Sequence, residues 1–214
     1  MAKFVTPLGK IEIKIIGHSS VLIEWDGHKI ITDPYSEIAD YTKQPVADLI
    51  LITHDHYDHL DLKALKPITG VETIIVSTPT VAKILNNVIA LKQGESYEYF
   101  SMTITATYAY NIKQKNENGQ PFHPRGVGNG YVLNFGGYKV YFAGDTEAIP
   151  EMKELGNIDI AFLPKNLPFT MSDDMFIEAV KIVKPHNLCP YHYFELNEAA
   201  LNKRLPEGVA MFVR

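Results

Sequence analysis

Leu49-Ile50-Leu51-Ile52-Thr53-His54-Asp55-His56-Tyr57-Asp58-His59-Leu60-Asp61 is the stretch on which the reading of this chain turns. Four apolar residues, Leu49 to Ile52, run straight into a segment carrying His54, His56 and His59 with Asp55 and Asp58. A short apolar run bounded by polar residues reads as a buried strand, so these groups arrive together at one edge of a sheet. In extended chain, side chains two apart point the same way, which lets His54 and His56 face one ion. Asp58 and His59 come as the chain turns into a helix expected over 60–66, and face a neighbouring position. Neutral imidazole mixed with carboxylate is a donor set for first-row metals. The plainer alternative makes Asp58 only the N-cap of that helix and the histidines a solvated loop. Their crowding at the mouth of a buried strand favours a metal site.

Outward from this stretch, the composition sets bounds. A chain of 214 residues, 46% hydrophobic and 21% charged, is expected to form one domain over 1–214 with a sizeable core. A net charge of −5 argues against the basic face that a nucleic-acid partner needs. The one cysteine, Cys189, excludes an internal disulfide and reads as a buried structural thiol. Nothing near Met1 resembles a signal peptide and no stretch is long enough to span a bilayer. A cytoplasmic protein without a membrane span is therefore expected, and a homo-oligomer stays open.

Along the chain, 11–16, 20–25 and 28–32 read as strands, with tight turns at Gly17 and Asp26-Gly27. The strand at 48–53 and its helix follow, then a short strand at 73–76. Residues 79–88 have helical spacing, with Thr78 as cap and Pro79 at the first helical position. A strand at 102–107 leads into an irregular stretch, 108–129, long enough to be a lid or binding loop. Tyr131–Phe135 and Lys139–Phe142 form a second hairpin through Gly136-Gly137. Helices near 148–155, 173–183 and 198–204 alternate with strands at 159–163 and 187–190. Strands followed by helices occur twice, before and after about residue 107. Pattern alone thus reaches an α/β or α+β sandwich of mixed sheets.

The His-x-His-x-Asp-His motif resembles the metallo-β-lactamase superfamily, and other stretches extend the likeness. Gly17-His18-Ser19-Ser20, Gly27 and Ile31-Thr32-Asp33-Pro34 precede it, while Ala143-Gly144-Asp145-Thr146 and Pro190-Tyr191-His192-Tyr193 follow. They are similar to the branch of ascorbate-phosphate lactonases, N-acyl phosphatidylethanolamine phospholipase D and small metal-dependent hydrolases. The resemblance implies a four-layer αββα sandwich with the site along one edge between the sheets. It also implies that Asp145, presented by a glycine that lets the backbone bend, bridges two metals, and that His192 rather than His186 completes the second with Asp58 and His59. Tyr191 and Tyr193 would wall the pocket. Superfamily members often carry histidine where this chain has Asn111. Asn111 itself, His123 returning from the loop, or water could therefore complete the first metal site with His54 and His56, and His123 is favoured. Asp33 would orient a ligand ring from behind. His18 could be a proton donor, a substrate contact or a core histidine.

The function implied is metal-dependent hydrolysis. One or two divalent ions, zinc before manganese, nickel or iron, would supply a metal-bound hydroxide, which Asp58 orients. A small-molecule substrate is expected, a phosphoester, phosphodiester or lactone. Lys113, Lys115, His123 and Arg125 on the 111–125 loop would recruit an anionic group. Histidine rather than glutamate at 56 disfavours redox di-iron chemistry. The competing readings are a metal-binding domain without turnover and a nuclease of the same superfamily.

Overall fold

The computed structural model describes residues 1–213. In the first sheet, neighbours follow chain order: β1 (Ala2–Thr6), β2 (Gly9–Gly17), β3 (Ser20–Trp25), β4 (His28–Thr32), β5 (Ala47–Leu51), β6 (Thr69–Ser77) and β7 (Val88–Ala90). The second sheet holds β8 (Ser96–Tyr99), β9 (Met102–Ala109), β10 (Gly128–Phe135), β11 (Tyr138–Phe142), β12 (Ile160–Pro164), β13 (Asn187–Tyr191) and β14 (Ala210–Met211). Each sheet begins as an antiparallel meander of four strands and ends with parallel pairings. At the β3–β4 turn, Asp26 and Gly27 have φ of 47° and 83°, the double positive φ that a type I′ hairpin requires.

The layers follow from which faces are apolar. Ile11, Ile13, Ile23 and Leu49 of the first sheet pack on Ile104, Leu133, Phe142 and Phe162 of the second to make the central core. The outer face of the first sheet, with Ile31 and Ile50, is covered by α1 (Leu62–Ile68) through Ala64, Leu65 and Ile68. On the other side, α2 (Asp173–Val183) covers Tyr141, Ala161 and Leu188 with Phe176, Ile177 and Val180. This is the αββα sandwich. Among the described residues, no helix is long and apolar enough to cross a membrane. Cys189 is a buried thiol in the central core, and burial pushes its pKa up.

Several expected elements differ. Residues 79–88 do not form a helix: a 3₁₀ turn, Val81–Lys83, is followed by edge strand β7, with Val88 and Ile89 paired to Ile75 and Val76. Asn87 at φ 58° breaks the run between them, and sheet pairing outweighs helical spacing. The helix near 148–155 is a 3₁₀ turn, Pro150–Glu154, and the last helix is α3 (Glu198–Asn202). The halves divide at residues 91–95 rather than near 107, because β9 belongs to the second sheet. β1, β8 and β14 were not foreseen; β1 and β8 are strand partners of β2 and β9 at the outer edges, where alternation is masked by exposed charge.

Candidate metal centre

Strand direction gathers the site. β2, β4, β5, β9, β11, β12 and β13 each run toward one edge of the sandwich, and the residues just past their ends are His18, Asp33, His54, Asn111, Asp145, Asn166 and His192. Carboxyl ends of strands are where α/β sheets place ligand sites. The end of β5 is tied to both sheets. Ile52 O accepts from Ser77 Oγ and Tyr131 Oη, and Thr53 O accepts from Asn129 N. Beyond it the chain bends instead of staying extended: His56 O accepts from the N–H groups of His59 and Leu60 at 3.0 and 2.8 Å. That turn folds His59 back under His54, ring centroids 4.1 Å apart. His54 and His56 therefore converge across a bend rather than along a strand. The helix cap is Asp61, whose carboxylate accepts from Lys63 N and Ala64 N, so Asp58 is left for the cleft.

Three groups of donor atoms lie within 4.8 Å of one another: His54, His56 and His123; His54, His59 and Asp145; and Asp58, His59 and His192 with His18. Asp145 Oδ2 lies 3.3 Å from His123 Nε2 and 3.2 Å from His192 Nε2, and its Oδ1 lies 3.5 Å from His59 Nε2. Asp58 Oδ2 is 3.5 Å from His192 Nε2. Donors sharing one ion at bonds of about 2.1 Å sit roughly 3–4 Å apart, so these spacings fit. Four buried ring nitrogens, Nε2 of His54, His59, His123 and His192, have no hydrogen-bond partner, nor does Asp145 Oδ1. Buried polar atoms are rarely left so; divalent metal ions would satisfy all five.

The opposite ring nitrogens set the tautomers. Asp33 Oδ1 accepts from Thr53 N at 2.8 Å, and its Oδ2 accepts from Thr53 Oγ1 at 2.7 Å and His59 Nδ1 at 2.8 Å. Thr53 has given its only hydroxyl proton to Asp33, so it accepts from His54 Nδ1 at 3.0 Å. Asn111 Oδ1 accepts from His123 Nδ1 at 2.8 Å. In each ring Nδ1 carries a proton, which leaves Nε2 as the atom turned to the site. The Asn166 amide stands 3.3 Å from His192 Nδ1.

Backbone strain aims some of these groups: His18, Asp33 and His192 have φ of 51°, 35° and 50°, a left-handed region costly for such residues. Gly144, at φ 66°, is required because a Cβ there would lie 2.6 Å from Asn129 O; its N–H donates to Tyr191 Oη at 2.8 Å. Tyr191 is thus a buried prop of the Asp145 turn, 2% exposed, and the expectation that it walls the pocket is corrected. The walls are Phe122, Phe169, Phe194 and Tyr57, around a cleft of about 460 Å³. His186 lies at the far end of β13, paired with Asp159. Arg125 is also turned away, bonded to Glu151 at 2.8 Å and stacked 4.2 Å over Tyr108, so the expected recruitment of an anion by this arginine does not hold.

Electrostatics divides the donors. Burial holds His54 well below the ordinary histidine range, His59 adding to the effect; burial and His123 lower His56. Burial also opposes charge on His59 and His192, yet Asp145 and Asp33 raise His59 well up, and Asp145 and Asp58 raise His192 to about 9. Burial would raise Asp145 and Asp58. His192 and His59 overcome it for Asp145, and hydrogen bonds from His18 and His192 for Asp58, so both carboxylates are held low.

Thr53, Glu147 and Asn166 went unnoticed in the sequence. Glu147, 1% exposed, accepts from the backbone N–H groups of Lys113 and Gln114 and from Asn111 Nδ2. Its place two residues after Asp145 was the available signal; for Asn166 it was the end of a strand parallel to β13.

The Beta-lactamase superfamily domain model matches residues 12–192. A UPF0173 metal-dependent hydrolase of Methanosarcina mazei is 31% identical over 200 residues, covering 87% of this chain and 84% of that protein. A crystal structure of a Parabacteroides distasonis protein named for metal-dependent hydrolysis superposes with TM-score 0.93 at 42% identity, covering 100% of this chain and 97% of that one. Igni18, a metallo hydrolase of Ignicoccus hospitalis, shares the fold at TM-score 0.78 and 23% identity, over 95% of this chain and 94% of its own. The fold, the gathered histidines and these likenesses agree: the chain belongs to the β-lactamase superfamily, among the UPF0173 metal-dependent hydrolases.

Proposed function

We propose that this hydrolase acts on a small-molecule phosphoester, phosphodiester or lactone, using two divalent metal ions. His54, His56 and His123 would hold one, Asp58, His59 and His192 the other, and Asp145 would bridge them. The observation that carries this reading is the set of buried Nε2 atoms, of His54, His59, His123 and His192, that are gathered at the site without a hydrogen-bond partner. Such ions lower the pKa of water toward neutrality and polarise the oxygen under attack.

The chain's own groups do the rest. Asp58 Oδ2 lies 3.0 Å from His18 Nε2, and the cleft reaches Asp58 directly. His18 steadies that carboxylate, which orients the attacking water and takes its proton. The ring of His18 lies 3.9 Å from that of His192, tilted by 42°, and through its bond to Asp58 it would pass on the proton that Asp58 takes. Burial lowers the pKa of His18, against the pull of Asp58.

The test is elemental analysis of the purified protein followed by rates on bis-p-nitrophenyl phosphate, p-nitrophenyl phosphate and γ-thiobutyrolactone. Chelation should abolish turnover and the metal restore it, and Asp58→Asn should lower kcat by about 10²–10⁴-fold. Turnover that survives exhaustive chelation sinks the mechanism; full metal content with no rate on any substrate leaves a metal-binding domain.

A further inference from the structure

The cleft beside the candidate metal centre has an unusual lining. Phe194 is 78% exposed, Tyr57 75% and Phe169 36%, and all three face the same opening as Phe122 and the candidate ligands. Phe122 and Phe169 meet edge to face at 5.0 Å, forming a continuous wall from two separate loops. Large aromatic rings left in water and clustered at a concave site mark surface meant to be covered by a ligand.

Charge narrows what that ligand carries. No lysine or arginine is among the lining residues, whereas Asp55, Asp58 and Asp145 are. Two cations close in the chain to lining residues are engaged elsewhere: Arg125 with Glu151, and Lys165 with Asp173 at 2.7 Å. An anionic group held at the metals would be neutralised there. A second anionic group reaching the aromatic walls would meet no cation among the lining residues and would lose its hydration.

Resting on the metal-dependent reading above, we infer that the substrate is uncharged and apolar beyond the bond hydrolysed, bearing an alkyl or aromatic group that Phe122, Phe169, Phe194 and Tyr57 receive. The cleft, at about 460 Å³, has room for a group of that kind next to the reacting centre.

The experiment uses straight-chain hydroxamic acids, from acetohydroxamic to octanohydroxamic acid, bound to the metal-loaded protein and followed by calorimetry. Affinity should rise by about two- to fourfold per methylene. It should fall at least tenfold when the end of the longest chain carries a carboxylate. In Phe169→Ala and Phe194→Ser, the gradient should flatten to under twofold per methylene. A flat gradient in the unmodified protein, or a terminal carboxylate bound as tightly as the plain chain, overturns the inference while leaving the metal site standing. Loaded metal with no hydroxamate bound at any length, or failure to load metal, overturns the metal-dependent reading instead.

Discussion

Asn111 Oδ1 accepts two hydrogen bonds from His123, one from its backbone N–H at 2.7 Å and one from ring Nδ1 at 2.8 Å. The amide is itself held by Nδ2, which donates to Phe169 O at 2.8 Å and to Glu147 Oε1 at 3.3 Å. Asn111 therefore stands behind His123, fixing its ring and tautomer while His123 Nε2 faces the site. The proposed place of His123 at the first metal position, one of the arrangements the sequence left open, rests on this geometry.

Asn111→Ala should accordingly lower metal affinity at that position by about 10–100-fold, the usual cost of losing a partner behind a ligand. Asn111→His, which would help if asparagine marked an empty coordination position, should lower affinity too, because it removes the acceptor that His123 needs. Competition with a chromophoric chelator measures both; raised affinity in Asn111→His would reverse the assignment.

Glu147 is the anchor of the same loop. Replacing its carboxylate in Glu147→Gln turns an amide N–H toward backbone donors that now share one acceptor oxygen, a cost of about 1–3 kcal/mol. Chemical denaturation should register it, and the Lys113 and Gln114 amides should exchange with solvent faster. Unchanged exchange at those two amides would show that Glu147 does not hold the loop.

Much of this was legible in the sequence because parallel strands write their burial and their ends plainly. The apolar run ending at Ile52 pointed to His54, whereas Asp145 and His192, each just past a short strand, were singled out by the family resemblance. What stayed hidden depends on contacts between distant segments. Nothing local tells that Asn111 answers to His123 twelve residues on, or that Tyr191 turns inward to hold Gly144. The edge strand at Val88–Ala90 was hidden for the same reason, since its partner is β6 and its own residues have helical spacing.

Asp33 gathers three donors in a fully buried corner, Thr53 N, Thr53 Oγ1 and His59 Nδ1. Asp33→Ala strands all of them and removes the acceptor that fixes His59, so about 3–5 kcal/mol of stability should be lost. Asp33→Asn should lose less, because one oxygen remains to accept. Equal losses in the two variants would mean the bonds matter less than the packing.

The linkage between pH and metal has a definite sign. His192 is raised from an ordinary value of 6.5 to about 9 in the fold without metal. A raised folded-state pKa contributes stability that is full below 6.5 and fades as pH climbs through about 9. His59, also raised, acts in the same direction. Metal must displace these protons, so the rise in Tm on adding metal should be larger at the upper end of this window than at the lower. A rise that shrinks with increasing pH would contradict protonated rings at His59 and His192 in the metal-free fold.

If one edge of this sandwich holds a pair of divalent ions, metal stoichiometry reports it without reference to any substrate. After equilibrium dialysis against micromolar zinc, elemental analysis should find about two equivalents per chain. It should find about one in His123→Ala and in His192→Ala, each variant having lost a different position. No bound metal in the unmodified protein, or the same content in all three, would mean that the edge holds no such pair.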